Sequence, residues 1–553
     1  MKLLRITLEG QYKGLKNQTF EFGRSENNVM AFVGLNGTGK SQLLEMICES
    51  FSYLERVTRP EFRVRKPLGF GIVIEYQIRP YLKIDDITYQ KVMISNDGSV
   101  KCFEHSQAEN WKEKDNKNMD LPLNIIGYSS GLNENLQRSF MKNSLQFFDV
   151  MKVRARRRRR ASENINEEKL ADLNRYYYKR YPGVFDTEYG EGSKHENFLT
   201  LREKDTKAPV MKFLDYDSSA LLMACMSILE PEELDVLLPE VKHRYPQKIV
   251  VHYDLRKTAL EEDAIRDIRQ LIELVSTDNV EGLIPKTKDA DYDLYELDYL
   301  CAHITIDLTN DGLRRRMQER YLDMPIRLFE RLYKIQLLGV QAWQTADKKL
   351  LRDDSFQGNI KKPLKTKLPL SVTELLLADE DGNVIPFDDL SDGEAQLILT
   401  VAGARTFRDE TTLFIFDEPE THLNPSWRTQ FHRHLNQALK FDMGTVENPS
   451  CQVLLSTHSP FLISSLHKQD VFNFEKRVDG SVAMIPSYIQ TYGAAFEVLM
   501  KQFFGLRSLI SQTAVEDIKH QLNTLNDDEA SAWIETNIGD SMEKSYLLRK
   551  LKK

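Results

Sequence analysis

Hydrophobic and polar residues alternate in two short segments near the start of the chain, Leu3–Leu8 and Thr19–Phe22. A period of two is typical of strands with one buried face, so we predict two strands joined by a polar turn. The next apolar run, Val29–Val33, leads into a glycine-rich loop, and Gln42–Ile47 then has the apolar spacing of a helix. The pattern therefore predicts a strand, a glycine loop and a helix in direct succession.

The last third of the chain also alternates between predicted strands and helices. Ser371–Leu377 and Val384–Phe387 flank Asp381-Gly382-Asn383, a turn sequence that favours a hairpin. The apolar runs Thr412–Phe416 and Gln452–Ser456 predict two buried strands, and helical patterns precede both. Strands that alternate with helices indicate an α/β core.

The middle of the chain is charged and has helical patterns, for example in Thr258–Ser276 and Leu313–Leu351. Because segments with recognisable chemistry lie on both sides of it, we interpret it as a large, mainly helical insertion into the α/β core. The predicted organisation is a first lobe over 1–150, an insertion over 151–370, a second lobe over 371–490 and a helical C-terminal region over 491–553.

The composition of the chain excludes some classes of protein. The 553 residues include 75 Lys and Arg against 83 Asp and Glu, a net charge of −8, which excludes a generally basic DNA-coating protein but not local basic patches. No apolar run approaches the ~20 residues of a membrane span, and the charged segment Met1–Gly10 does not resemble a signal peptide. We therefore expect a cytoplasmic protein without a membrane partner.

The glycine loop fits the Walker A pattern GxxxxGK[ST], with glycines that let backbone N–H groups face phosphate oxygens. Lys40 is placed to contact the β and γ phosphates of ATP, and the hydroxyl of Ser41 is placed to bind Mg²⁺. The predicted nucleotide-binding residues are Gly34, Leu35, Asn36, Gly37, Thr38, Gly39, Lys40 and Ser41.

A second acidic motif follows the predicted strand Thr412–Phe416, as in a Walker B motif. Asp417 is predicted to hold Mg²⁺, and Glu418 is predicted to act as the general base that polarises the attacking water. Farther along, His458 follows the strand Gln452–Ser456, a placement that resembles the switch histidine of ABC-type ATPases and so implies contact with the γ-phosphate. A turn histidine held by local hydrogen bonds is the alternative interpretation of His458.

The segment Asp389–Glu394 resembles the LSGGQ signature of ABC-type ATPases. In that family the signature reaches the γ-phosphate bound by the other protomer, which gives this role to Ser391 and Gly393. An ordinary serine cap at a helix start is the alternative. The family also implies a Q-loop ligand for Mg²⁺, for which Gln137 is the first candidate and Asn133 the second.

The order Walker A, long insertion, signature, Walker B and histidine resembles the heads of SMC, RecF and OLD-type ATPases. Within that group, Ile126–Glu134 and Phe416–Pro425 resemble the PtuA family, the ATPases of Septu antiphage modules. The resemblance implies a head-to-head homodimer that controls a separate HNH nuclease of the PtuB kind. It also allows for a retron reverse transcriptase and its DNA–RNA product as further components. We find no nuclease motif in this chain.

A run of arginines at the start of the insertion is the main basic feature. Arg156, Arg157, Arg158, Arg159 and Arg160 are candidates for contact with a nucleic-acid backbone, and a solvated charged segment is the alternative. DNA contact would also suit a second hypothesis, a DNA-repair ATPase of the RecF or SMC type. A transporter or translation-factor cassette is disfavoured by the long insertion and the single Walker A motif.

Overall fold

A computed structural model gives the positions of most of the chain. It describes residues 1–23, 28–57, 67–79, 87–105, 111–116, 119–130, 134–163, 173, 176, 208–258, 262–276, 279–281, 300–353, 356, 358, 360, 367–408, 411–440, 451–506 and 510–551. The residues divide into two compact units, Met1–Gly493 and Ala494–Lys553.

The strands of the described residues all belong to the first unit. In chain order they are β1 (Lys2–Tyr12), β2 (Leu15–Glu21), β3 (Val29–Gly34), β4 (Gly71–Ile78), β5 (Thr88–Ile94), β6 (Val100–His105), β7 (Lys112–Lys114), β8 (Asn124–Ser129), β9 (Met211–Phe213), β10 (Tyr245–Asp254), β11 (Val280–Glu281), β12 (Cys301–Asp307), β13 (Leu370–Ala378), β14 (Val384–Pro386), β15 (Thr412–Asp417), β16 (Cys451–Ser456), β17 (Val471–Lys476) and β18 (Val482–Pro486).

Helices connect and cover these strands. Those of the first unit are α1 (Lys40–Val57), α2 (Glu134–Glu163), α3 (Tyr216–Met226), α4 (Pro231–Leu237), α5 (Glu262–Val275), α6 (Asp311–Tyr321), α7 (Pro325–Leu337), α8 (Thr345–Leu351), α9 (Asp392–Phe407), α10 (Pro425–Leu439) and α11 (Pro460–Ser464). Those of the second unit are α12 (Phe496–Phe504), α13 (Gln512–Thr524), α14 (Asp527–Asn537) and α15 (Met542–Leu551).

The central sheet has the strand order β18-β17-β3-β16-β15-β8-β9, and all its pairings are parallel except that of β17 with β18. Every residue of β3, β15 and β16 is buried, as expected for parallel strands covered on both faces. The strand β16 lies between β3 and β15, and the carboxyl ends of all three meet at one edge. Loops at this edge are the usual place for a ligand site in such sheets.

Two antiparallel sheets accompany the central one. The first has the order β2-β1-β4-β5-β6-β7, and its apolar face shares a core with α1 and the central sheet. The second has the order β11-β12-β10-β13-β14. The α/β class is confirmed, and the predicted hairpin is present as β13 paired with β14.

The segment 151–370 is mainly helical in its described part, but it is less separate from the two lobes than the sequence pattern indicates. Its described part contains α3 to α8, and it also contributes β10 and β12 to the second antiparallel sheet. That sheet crosses the predicted boundary at 370, because β10 pairs with β13 over most of its length. In addition, β9 extends the central sheet beside β8. Strand pairing therefore joins the insertion to both lobes.

The second unit, Ala494–Lys553, is helical in its described part, which confirms the helical C-terminal region. Two of its helices begin with side-chain caps: Ser511 accepts a hydrogen bond from the N–H of Ala514, and Asn526 forms a capping box with Glu529. Among the described residues of the whole chain, every helix is too short or too polar to cross a lipid bilayer.

Candidate functional site

The Walker A segment forms a tight loop between β3 and α1. Gly34, Gly37 and Gly39 have φ angles of +136°, +76° and +101°, which L side chains rarely adopt. At Gly34 an added Cβ would also lie 2.5 Å from the carbonyl oxygen of Phe474 on the neighbouring strand. The side chain of Leu35 is exposed, so this part of the loop is open to solvent.

The side chain of Lys40 folds back over this loop. Its Nζ donates hydrogen bonds to the carbonyl oxygens of Gly34 (2.9 Å) and Leu35 (3.1 Å). Burial lowers the pKa of Lys40, while Glu418 and Asp417 oppose this shift. The ammonium group is thus held at the inner side of the loop, where anionic oxygens would replace weaker carbonyl partners. This geometry fits the triphosphate of a nucleotide.

Ser41 and Asp417 come together across the sheet edge. The Ser41 hydroxyl donates to Asp417 Oδ1 at 2.9 Å, and the Ser456 hydroxyl at the end of β16 donates to the same oxygen. A hydroxyl beside a carboxylate provides the hard oxygen ligands that Mg²⁺ prefers. The predicted pair of Mg²⁺ ligands therefore lies in one place, and Ser456 is an orienting partner that the motif search missed.

Glu418 directly follows the Walker B strand β15 and has an unusual backbone conformation. Its φ is +53°, in the left-handed region that a non-glycine residue seldom adopts. The strain is stabilised by two hydrogen bonds from Glu418 N to Ser456, one to the carbonyl oxygen (3.2 Å) and one to the hydroxyl (3.1 Å). Strained backbone of this kind is concentrated at functional sites, which makes Glu418 a candidate functional residue.

His458 and Glu418 face each other at the same edge. His458 Nε2 lies 3.5 Å from Glu418 Oε1. Burial, followed by the charge of Asp417, raises the pKa of Glu418. Burial, followed by the charge of Lys40, lowers the pKa of His458 to about 4, so the imidazole is neutral at pH 7. A partly buried carboxylate with a raised pKa beside a neutral imidazole suits proton transfer to and from water.

The signature segment starts α9, and its serine is a helix cap. The Ser391 hydroxyl accepts from Glu394 N at 3.3 Å and the Ser391 N–H donates to Glu394 Oε2 at 2.9 Å, which completes a capping box. The Ser391 hydroxyl also donates to Glu394 Oε2 at 2.7 Å. Ser391 is exposed. A Cβ on Gly393 would lie 3.2 Å from the carbonyl oxygen of His422, so this glycine allows close packing within the chain. Both residues lie apart from the P-loop hydrogen bonds described above.

The candidate Q-loop residues are not placed at the site by the described contacts. Gln137 lies in the first turns of α2, in the wall of a cavity lined also by Phe140, Phe213 and Tyr333. The lining of this cavity includes no residue of the Walker A or Walker B segment. Asn133 lies outside the described residues. In contrast, Ser130 N donates to the Asp417 carbonyl oxygen at 3.0 Å, so the chain does leave β8 beside the site.

Two buried side chains behind Glu418 were not recognised from the sequence. Glu420 accepts a hydrogen bond from the Thr457 hydroxyl, and burial raises its pKa to about 7. Gln396 of α9 binds the turn after β15 at Pro419 and His422. A single glutamine on a helix belongs to no recognisable sequence motif. The only feature of the sequence that could have indicated a role for Gln396 is its position five residues after Ser391.

The arginine run lies on α2. Arg154 is buried and pairs with Asp263 at 3.3 Å, whereas Arg156, Arg157 and Arg160 are exposed. The guanidinium of Arg157 lies 5.7 Å from the ring centroid of Tyr176. The side chains of Arg158 and Arg159 lie outside the described residues.

One known protein family matches the part of the chain that contains the second half of the candidate site. The profile of the AAA_21 family matches residues 276–464, and its description names an AAA domain, the AbiEii toxin and a type IV toxin–antitoxin system. The match contains Ser391, Asp417, Glu418 and His458 and covers about a third of the chain. Residues 276–464, which include the second half of the candidate site, are thus similar to an AAA domain.

One curated protein has a related sequence over part of its length. Protein ea59 of Escherichia phage lambda is 24% identical over 198 residues, and the match covers 33% of this chain and 36% of that protein. The chain thus spans about a third of the length of this curated relative.

Solved structures of SMC heads align over most of the chain with low similarity. The head from Pyrococcus furiosus, bound to the C-terminal domain of ScpA, aligns with 12% identity and a TM-score of 0.29 and covers 92% of this chain and 100% of its own. The head from Thermotoga maritima aligns with 10% identity and a TM-score of 0.32 and covers 88% and 100%.

Proposed function

We propose that this chain binds and hydrolyses ATP as an ABC-type switch. The observation that carries the proposal is the convergence of Ser41, Asp417, Glu418 and His458 at the edge where β3, β15 and β16 end. These residues come from segments far apart in sequence and match the order of an ABC-type site. Such a site couples the presence of a γ-phosphate to the conformation of the chain.

Each residue has a defined role in this proposal. The glycine loop and Lys40 bind the triphosphate, while Ser41 and Asp417 hold Mg²⁺, and Gln137 is a candidate further ligand on the sequence alone. Bound Mg²⁺ would neutralise charge on the phosphates and orient them. Glu418 accepts a proton from the attacking water, and the neutral His458 donates a hydrogen bond to the γ-phosphate.

The substitution Glu418→Gln tests the catalytic role. We expect the variant to bind ATP with wild-type affinity and to release phosphate at least about 100-fold more slowly, since a general base contributes about 10²- to 10⁴-fold. The matched control is Lys40→Ala, which should lose ATP binding itself. Unchanged phosphate release by Glu418→Gln would remove the role given to Glu418.

We further propose that two copies close head to head around two ATP molecules. Ser391 and Gly393 of one copy would then contact the γ-phosphate held by the partner. The exposed position of Ser391 at the start of α9 supports this arrangement, because its hydroxyl is within reach of a second chain. Contact would require the hydroxyl to exchange its bond with Glu394 for a phosphate oxygen. Sedimentation of Glu418→Gln with and without ATP tests this, and a monomer in both conditions would contradict it.

The biological role that we propose is antiphage defence. The resemblance to PtuA and the AAA_21 description, which names a toxin–antitoxin system, both support it. In this role the switch controls a separate HNH nuclease, with a retron reverse transcriptase and its DNA–RNA product as additional components. A tagged pull-down from the native host, with and without ATP, should recover a small HNH protein. Recovery of chromosomal DNA with repair proteins alone would favour the RecF-like function.

One observation favours DNA contact, which a repair ATPase would need. Lys152, Arg156 and Arg160 follow one another at intervals of four residues, so they lie along one face of α2. If Arg156 and Arg160 bind phosphates of duplex DNA, replacing both by Gln should reduce the slope of log affinity against log salt by about 1.8. The same change at Arg315 and Arg316 of α6 is the charge-matched control. An unchanged slope would exclude Arg156 and Arg160 as phosphate contacts.

A further inference from the structure

The side chain of Gln396 links the signature helix α9 to the turn that follows the Walker B strand. Its Nε2 donates to the carbonyl oxygen of Pro419 at 2.5 Å, and its Oε1 accepts from the N–H of His422 at 2.9 Å. Gln396 is 4% exposed, so water does not compete for these bonds. A primary amide offers a donor and an acceptor, and here each one binds one side of the same turn.

The turn that Gln396 binds contains Glu418 and is hydrogen-bonded within itself. Thr421 donates twice to the carbonyl oxygen of Glu418, from its N–H at 3.3 Å and from its hydroxyl at 2.9 Å. The N–H of Leu423 donates to the carbonyl oxygen of Glu420 at 3.1 Å. Because these bonds tie successive residues together, a displacement at Pro419 or His422 is transmitted to Glu418.

The other end of the link is the signature segment. Gln396 lies in the second turn of α9, directly after the capping box of Ser391 and Glu394. Gly393 packs so closely on the turn that a Cβ would lie 3.2 Å from the carbonyl oxygen of His422. The start of α9 and the Glu418 turn therefore have little freedom to move separately.

We propose that Gln396 is a positioning residue for hydrolysis. Its amide fixes the position of the Glu418 turn relative to the start of α9. A contact at Ser391 and Gly393 then sets the position of the Glu418 carboxyl group. The inference rests on the proposed function, in which Glu418 activates water and the signature meets the nucleotide of a partner head. Gln396 acts through the turn, because its side-chain amide binds the backbone of Pro419 and His422.

The substitution Gln396→Leu removes both hydrogen bonds and keeps most of the volume. We expect ATP affinity and KM within about twofold of wild type and kcat lower by about 10- to 100-fold, because a misplacement of about 1 Å can cost 10²-fold. Thr400→Val is the control on the same helix. Thr400 is also buried, but its hydroxyl donates to the carbonyl oxygens of Gln396 and Leu397 within α9.

A second variant separates positioning from a structural role. In Gln396→Glu the protonated carboxyl group again offers one donor and one acceptor, whereas the ionised form has no donor. Its kcat relative to wild type should therefore rise as the pH falls, while the same ratio for Gln396→Leu stays constant. Loss of packing alone would lower the melting temperature of both variants without this difference in pH dependence.

The outcomes distinguish this inference from the function on which it rests. Absence of ATP hydrolysis by the wild-type chain overturns the proposed function and the inference together. Hydrolysis by the wild type, with an equal kcat for folded Gln396→Leu, overturns the inference alone. If Gln396→Leu does not fold, a ratio for Gln396→Glu that does not change with pH overturns it.

Discussion

The hydroxyl of Ser41 lies 2.9 Å from the carboxylate of Asp417, although the two residues are 376 positions apart in the chain. One follows the phosphate loop and the other ends a buried strand. Their proximity requires β3, β16 and β15 to pair in register, since Ser456 between them binds Asp417 as well. The metal-binding part of the candidate site therefore forms only when the central sheet has assembled.

Replacing Ser41 by alanine should raise the Mg²⁺ concentration needed for half-maximal hydrolysis by about 10- to 100-fold, the size of effect seen when a metal site loses one supporting group. The matched control is Ser50→Ala on the same helix, because the Ser50 hydroxyl donates to the Met46 carbonyl within α1. Titration of Mg²⁺ at saturating ATP measures both variants. An unchanged requirement in Ser41→Ala would contradict the assignment.

The raised pKa of Glu418 predicts how hydrolysis depends on pH. A general base must be ionised, so the rate should fall as the pH drops through the pKa of Glu418, which lies above the ordinary carboxyl value of 4.5. The pKa of His458 is about 4, so this imidazole stays neutral at pH 5 and above. Its protonation should therefore add no second change in rate near pH 6. Phosphate release measured from pH 5 to 8 tests this, and a protonation step with a pKa of 6 to 7 that disappears in His458→Ala would argue against it.

Burial of Glu420 predicts a stability that decreases as the pH rises. Between pH 4.5 and about 7 the folded chain keeps a proton on Glu420 that the unfolded chain has lost, so folding is penalised increasingly across this window. The full effect is about 3 kcal/mol above pH 7. Glu420→Gln should remove this part of the slope when melting temperatures are compared from pH 5 to 8. Parallel curves for the variant and the wild type would contradict the prediction, and Glu319→Gln on α6 is the control.

Two glycines of the phosphate loop should differ in their tolerance of alanine. Both have positive φ, which costs a non-glycine residue about 1–3 kcal/mol. An added Cβ at Gly34 would also meet the carbonyl oxygen of Phe474 at 2.5 Å, whereas the one at Gly37 would meet nothing within 4 Å. Gly34→Ala should therefore lower the free energy of unfolding by about 1–3 kcal/mol more than Gly37→Ala. Equal melting temperatures for the two variants would contradict this.

Local pattern predicted the elements around the nucleotide site well. The strand before Gly34, the helix after Lys40 and the buried strand before Asp417 each have a period or an apolar run that is independent of the rest of the chain. The β13–β14 hairpin is also local, because its turn residues determine the connection. These local features were enough to predict the α/β fold class, which is confirmed.

Features that depend on distant pairing were not predictable. The strand β10 is flanked by charged helical segments, and only its pairing with β12 and β13 makes it the centre of a sheet. Gln137 is the first Q-loop candidate because it follows Tyr128–Ser130, yet α2 places it in the wall of a cavity whose lining includes no Walker A or Walker B residue. Gln396 and Glu420 gain their importance from burial against a strained turn, which no residue count along the chain reveals.

The position of β3 in the sheet has a consequence for synthesis of the protein. Both neighbours of this strand, β16 and β17, are translated about 420 residues after it. At 5–20 residues per second, the apolar segment Val29–Val33 waits about 20 to 80 s on the ribosome before either neighbour exists. A nascent chain that lacks β16 and β17 therefore cannot complete the part of the sheet that holds the Walker A loop. The proposed nucleotide site would form only after both strands have been made, and chaperones have a long interval in which to bind the exposed strand.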